Sequence, residues 1–234
     1  MLPIEDVMIA SSAIVQAIES TAADYAEGDM GDEDDFSSQM VGRIKGRVDD
    51  LRTPNTVWSV GAAIDGRSEP LMPSVRLSGR HLTSRGKKSE ETLMGADLVI
   101  AVDIETPTEV VRKGILIQAK RLDDGKQMDA REYGRLRAQC SDMLDLTSDS
   151  FVFLYSPNKV SIVSAASVEA STVRTLHDLA MYAPQVLFED LFFCWQGDPR
   201  LKATTREALA ELRALARAKN ALLVRARVDR DVPR

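Results

Sequence analysis

The chain has 234 residues, of which 44% are hydrophobic and 28% charged, with a formal net charge of −6. That length buries one sizeable core with room for a small added subdomain. The acidic balance removes net charge as an argument for nucleic-acid binding, the apolar runs are far short of a membrane span, and two cysteines make no disulfide framework.

The N-terminal residues MLPIEDVMIASS lack the basic segment and continuous apolar core of a secretory signal. With Cys140 and Cys194 both in apolar surroundings, the expectation is a reduced, cytoplasmic protein. Ile4, Val7, Met8, Ile14, Val15 and Ile18 recur at helical spacing and predict an amphipathic helix over 4–24. An acidic loop follows, Glu27 to Asp35, whose carboxylates suit the N-terminus of a second helix at 36–51. Residues 56–64 (TVWSVGAAI) predict a strand, and 65–90, with Gly66, Pro70, Pro73, Gly79 and Gly86, a long loop.

Two strands joined by a polar turn near Thr108 are expected between Glu90 and Arg121. Beyond them come a turn at 122–127, a helix at 128–145, a strand at 151–155, a turn at 156–159 and a strand at 160–164. Strand, helix, strand is the order of a crossover unit, so the sheet should be mixed. Residues 166–182, 185–194 and 202–219 read as helices, and Ala221–Val224 as a short strand. Phe188, Phe192, Phe193 and Trp195 read as core. A basic set, Arg213, Arg217, Lys219, Arg225 and Arg227, reads as solvated surface near the C-terminus.

The chemistry concentrates in the hairpin. Strands alternate faces, so Gln118 and Lys120 share one face, and Ile115, Ile117 and Ala119 the other. On the partner strand Leu98, Ile100, Val102 and Ile104 form one face, and Asp97 points away from them, roughly opposite Lys120. A carboxylate and an amide oxygen are hard ligands suited to magnesium or manganese, and a lysine beside them stabilises charge developing on a phosphate. The plainer alternative is a turn-capping Asp97 paired with Lys120 across the strands, which leaves Gln118 unexplained. No Gly-x-Ser-x-Gly elbow, no phosphate-binding Gly-x-x-x-x-Gly-Lys-Ser/Thr loop, no zinc spacing and no EF-hand order occurs.

Asp97, some twenty residues, then Gln118-Ala119-Lys120 on an apolar strand resembles the active-site pattern of the PD-(D/E)xK, or restriction-endonuclease-like, nuclease superfamily. The Gln-Ala-Lys form is similar to its Mrr-type branch, and Gly95-Ala96-Asp97-Leu98 resembles the turn that opens the metal-binding strand there, without the proline of the superfamily's named motif. The resemblance covers 33–164 and implies a fold: an α/β protein with an αβββαβ core and a mixed central sheet flanked by helices. The remaining residues, 165–234, would form a C-terminal helical extension of a single domain.

It also implies a magnesium- or manganese-dependent nuclease, acting on DNA rather than RNA, of a kind used in restriction or anti-phage defence. Metal ligands would be Asp97, Glu33 on the first core helix, and the Gln118 side chain or the Ala119 carbonyl, with Lys120 orienting water. Asp32, Asp34 and Asp35 are alternatives to Glu33. Arg80, Arg85, Lys87, Lys88 and Arg121 would grip the nucleic-acid backbone. A second copy or a sensor protein would be a partner, and no membrane is implied. The alternative is a catalytically inactive nuclease-like domain that binds nucleic acid or a protein.

Overall fold

A computed structural model describes residues 1–27, 33–51, 75–83, 95–123, 125–156 and 159–228. Helices α1 (Ile4–Glu27) and α2 (Glu33–Asp50) match the first two predicted helices. Ser11 and Thr21 sit on the buried stripe of α1 because each hydroxyl donates to the carbonyl four residues back, Val7 and Ala17. On α2 the inward residues are Phe36, Met40, Val41, Ile44 and Val48.

The sheet has seven strands: β1 (Val75–Thr83), β2 (Leu98–Glu105), β3 (Val110–Arg121), β4 (Ser150–Ser156), β5 (Lys159–Ser164), β6 (Met181–Tyr182) and β7 (Asn220–Val228). Their order is β1-β7-β2-β3-β4-β5-β6. The β2–β7 and β3–β4 pairs are parallel and the others antiparallel. The sheet is therefore mixed, and α3 (Ala130–Leu146) makes the connection between the parallel β3 and β4. Helices α1, α2 and α5 (Pro184–Phe192) cover one face, burying Leu98, Ile100, Ile115, Ile117, Ala119 and Leu222. On the other face α3, α4 (Ala165–Ala170) and α6 (Arg206–Leu215) cover Val99, Ala101, Leu116, Val152 and Leu223.

Four expectations change. Val75–Thr83 lies in the segment read as a loop but forms strand β1, an edge strand whose alternation of Arg76, Ser78 and Arg80 with Leu77, Gly79 and His81 carries little apolar signal. Gly79 allows a close approach there: a Cβ would lie 3.1 Å from the Lys45 Cα of α2. Residues 166–182 are not one helix. α4 stops at Ala170, the Ser171 hydroxyl accepts from the Val173 N–H, and a 3₁₀ turn at Leu176–Asp178 leads into β6. The last strand runs to Val228 and lies inside the sheet between β1 and β2, so the C-terminal third contributes strands to the sheet and is not merely helical. Finally, Phe188 and Phe192 are core but Trp195 is 75% exposed. The strand expected at 56–64 lies outside the described residues.

Candidate functional site

Why the hairpin ends as it does follows from its register. Pairing of Leu98 with Ile117 places Asp97 next to Gln118, two residues short of the expected Lys120. β2 starts at Leu98, so β3 beyond Ile117 has no backbone partner on that edge. The Asp97 carboxylate fills the gap: Oδ2 accepts the Ala119 N–H at 2.9 Å and also a hydrogen bond from the Gln118 Nε2. Asp97 and Gln118 are buried, and Lys120 shares the Gln118 face with only 7% of its surface exposed. The expected sharing of faces therefore holds: Ile115, Ile117 and Ala119 enter the α1–α2 core, and Gln118 and Lys120 point the other way.

Two consequences bear on chemistry. Because Gln118 spends its amide nitrogen on Asp97, its Oε1 is left buried without a hydrogen-bond partner among the described residues. An uncharged, orphaned oxygen beside a carboxylate wants a proton donor or a cation. The Ala119 carbonyl points to the same open edge as its N–H, as both groups of one strand residue do, and the Gln118 Nε2 lies 3.4 Å from it. A carboxylate, an amide oxygen and a carbonyl oxygen are donor types that suit magnesium or manganese, although it is the Gln118 amide nitrogen, not its Oε1, that faces the Asp97 and Ala119 oxygens here.

Residues beyond the hairpin complete the surroundings. Lys219 Nζ lies 3.4 Å from Asp97 Oδ1. Asn220, first residue of β7, donates its backbone N–H to the Asp97 carbonyl at 2.9 Å, and its side-chain Nδ2 lies 3.4 Å from the same oxygen. Asn220 Oδ1 is in turn 3.5 Å from the Ser38 hydroxyl of α2. His81 also meets the Asn220 side chain. Burial pushes its pKa down, against that hydrogen bond and with help from the Lys45 charge. Neither Lys219 nor Asn220 was legible as part of a site, because each joins it only through the parallel pairing of β7 with β2.

The expected second acid is Glu33. Helix α2 begins at Glu33, and its Phe36 ring stacks on Tyr155 with centroids 3.8 Å apart. Tyr155 is registered with Arg121, one residue past Lys120, so the first turn of α2 sits at the end of the sheet that holds Asp97 and Gln118. The Glu33 side chain lies outside the described residues, as do Asp32 and the Asp34 side chain. Asp35, the remaining alternative, is described and exposed in the first turn of α2, and among the described residues no group of three His, Cys, Asp or Glu that could hold a metal ion occurs.

Of the expected nucleic-acid contacts, Arg85, Lys87 and Lys88 lie outside the described residues. Arg121 is exposed, and its guanidinium stacks 4.9 Å from the Tyr25 ring centroid. Arg80 pairs through Leu223 of β7 with the level of Ala101, four residues along β2 from Asp97, and so stands apart from the site. Comparison with known proteins finds no matching family model, no matching curated protein and no matching solved structure.

Proposed function

We propose that the chain is a metal-dependent nuclease that hydrolyses phosphodiester bonds at the Asp97–Gln118–Lys120 end of the sheet. The observation that carries the reading is the Asp97 carboxylate held at the free edge of β3 by the Ala119 N–H and the Gln118 amide, with the Gln118 Oε1 buried and without a hydrogen-bond partner among the described residues. The element order α2, β1, β2, β3, α3, β4 supports it, being that of a restriction-endonuclease-like αβββαβ core, with β7 inserted between β1 and β2.

Asp97, the Gln118 Oε1 and the Ala119 carbonyl would hold a magnesium or manganese ion, with Glu33 as the further acid. Bound there, the metal supplies an activated water and neutralises phosphate charge. The chain's own part is arrangement. The Ala119 N–H and the Gln118 amide fix the carboxylate, and pairing of Lys120 with Leu154 of β4 fixes the backbone that presents its ammonium. That ammonium stabilises negative charge on the phosphoryl oxygens and orients the attacking water. Lys219 balances Asp97 and would yield as a cation enters. DNA is the preferred substrate class, as the motif resemblance implies.

A second reading, a nuclease-like domain that binds nucleic acid or a partner without cleaving it, is favoured by the Lys219–Asp97 ion pair, which puts an ammonium against the principal ligand. Calorimetric titration with magnesium and manganese separates the two. The nuclease reading expects saturable binding that Asp97→Asn abolishes. It also expects a rise in melting temperature, since a ligand at ten times its Kd stabilises by about 1.4 kcal/mol. Absence of binding at millimolar metal would favour the non-catalytic reading.

A further inference from the structure

The strongest charged feature outside the site lies at the opposite end of the same sheet face. Asp103 is fully buried on β2 and holds three guanidiniums: Arg227 Nη2 at 2.9 Å, Arg112 Nε at 3.1 Å and Arg225 Nε at 3.5 Å. Arg227 reaches Glu105 as well, at 2.9 Å. Arg76 and Arg80 on β1 flank this group, Arg76 paired in register with Arg227. Together with Arg225, Arg227 and Glu105 they line an open concavity of about 610 Å³. Arg112, Arg225 and Arg227 thus surround Asp103 and Glu105, with Arg76 and Arg80 alongside them on β1 and Glu207 of α6 near Arg80.

One buried carboxylate needs one cation, so neutralising Asp103 does not account for the cluster. The surplus shows in the arginines themselves. The Arg225 Nε has no hydrogen bond among the described residues, and burial together with the Arg80 charge lowers the Arg225 pKa, against the pull of Asp103. Guanidiniums collected this way match phosphate oxygens in a planar, two-pronged geometry. Arg225 and Arg227 project from alternate residues of one strand, about 6.6 Å apart, a repeat comparable with successive phosphates of a nucleic-acid strand. Among the described residues the lining includes no aromatic ring to stack a base, and the groove is open rather than closed around a small molecule. That favours a backbone over a mononucleotide.

We propose that the arginine groove between β1 and β7 binds consecutive phosphates of a nucleic-acid strand. The site is distinct from the metal site, because Asp103 is six residues along β2 from Asp97, about 20 Å. Helix α6 packs on the face between them, with Leu215 and Ala216 beside Gly95 and Glu207 near Arg80. The proposal does not rest on hydrolysis at Asp97, because binding is measured with no divalent cation present.

The test is fluorescence anisotropy with labelled 25-mers of single-stranded DNA, duplex DNA and RNA, in EDTA, across a salt series. Arg80→Ala/Arg225→Ala leaves Asp103 with Arg112 and Arg227, and should weaken binding about tenfold. It should also reduce the slope of log affinity against log salt by between one and two, because each lost phosphate contact removes roughly 0.7 to 0.9 of slope. Arg80→Lys/Arg225→Lys should retain the slope. Arg131→Ala/Arg135→Ala, on the exposed side of α3, removes equal charge and should leave both quantities unchanged. If the double alanine variant fails to melt cooperatively, Arg80→Gln alone replaces it, with about half the slope change expected. The proposal is overturned if the wild type binds none of the three at micromolar concentration. Groove and α3 variants that weaken binding equally would also overturn it, as would polyglutamate competing as well as DNA.

Discussion

Asp103→Asn probes the arginine cluster without opening a cavity, since asparagine has the same shape and keeps an acceptor. The variant leaves three guanidiniums, at 2.9, 3.1 and 3.5 Å from the former carboxylate, facing one another around a neutral amide, with Glu105 still paired to Arg227. Removing one member of a buried ion pair costs about 3–5 kcal/mol. Here the arginine side chains are 22%, 34% and 42% exposed and regain some water, so the cost should fall to about 2–3 kcal/mol. For a chain of this size that is a fall in melting temperature of roughly 5–10 °C. Urea unfolding followed by circular dichroism gives the free energy, with an unchanged m-value showing that the folded and unfolded states keep their compactness. Added phosphate should restore part of the loss in the variant and less in the wild type. A variant that unfolds within about 0.5 kcal/mol of wild type would mean that the arginines do not depend on Asp103.

Other expectations follow from the site. Gln118→Glu puts a second carboxylate against Asp97. The metal-free protein should lose stability, and magnesium affinity by calorimetry should rise about tenfold, because ligand charge governs affinity for hard cations. His81 has its pKa lowered by burial, so the unfolded chain binds its proton more readily, and the contribution of His81 to stability is present above pH 6.5 and lost as pH falls below it. Melting temperatures at pH 7.5 and 5.5 should therefore differ less in His81→Gln than in wild type, and an unchanged difference would contradict the burial argument.

Much of this was legible in the chain because it depends on local periodicity. The stripe from Val7 to Ile18, the face of α2 from Phe36 to Val48 and the alternation of Ile115, Ile117 and Ala119 each give the element and its inward side. The sharing of a face by Gln118 and Lys120 follows from the same alternation. The register did not, since the turn spans Thr106 to Glu109, where the Thr106 N–H bonds the Glu109 carbonyl, and this shifts the partner of Asp97 by two residues. Non-local pairing was the larger loss. Lys219 and Asn220 reach Asp97 only because β7 inserts beside β2, more than a hundred residues away in sequence. Arg225 and Arg227 look like an exposed basic tail until the parallel ladder sets them against Asp103 and Glu105. Strand β1 was hidden because its outward residues are arginines and a serine, and its inward ones include a glycine.

Phosphodiester hydrolysis is the activity proposed for the Asp97, Gln118 and Lys120 end of the sheet. The most direct measurement is magnesium-dependent cleavage of plasmid DNA and of RNA by wild type, Asp97→Ala and Lys120→Ala, each shown to be folded. Wild type should cut in magnesium and not in EDTA, and each variant should lose at least a hundredfold in rate, about 2.7 kcal/mol of transition-state stabilisation. Undiminished cleavage by both variants would contradict the claim.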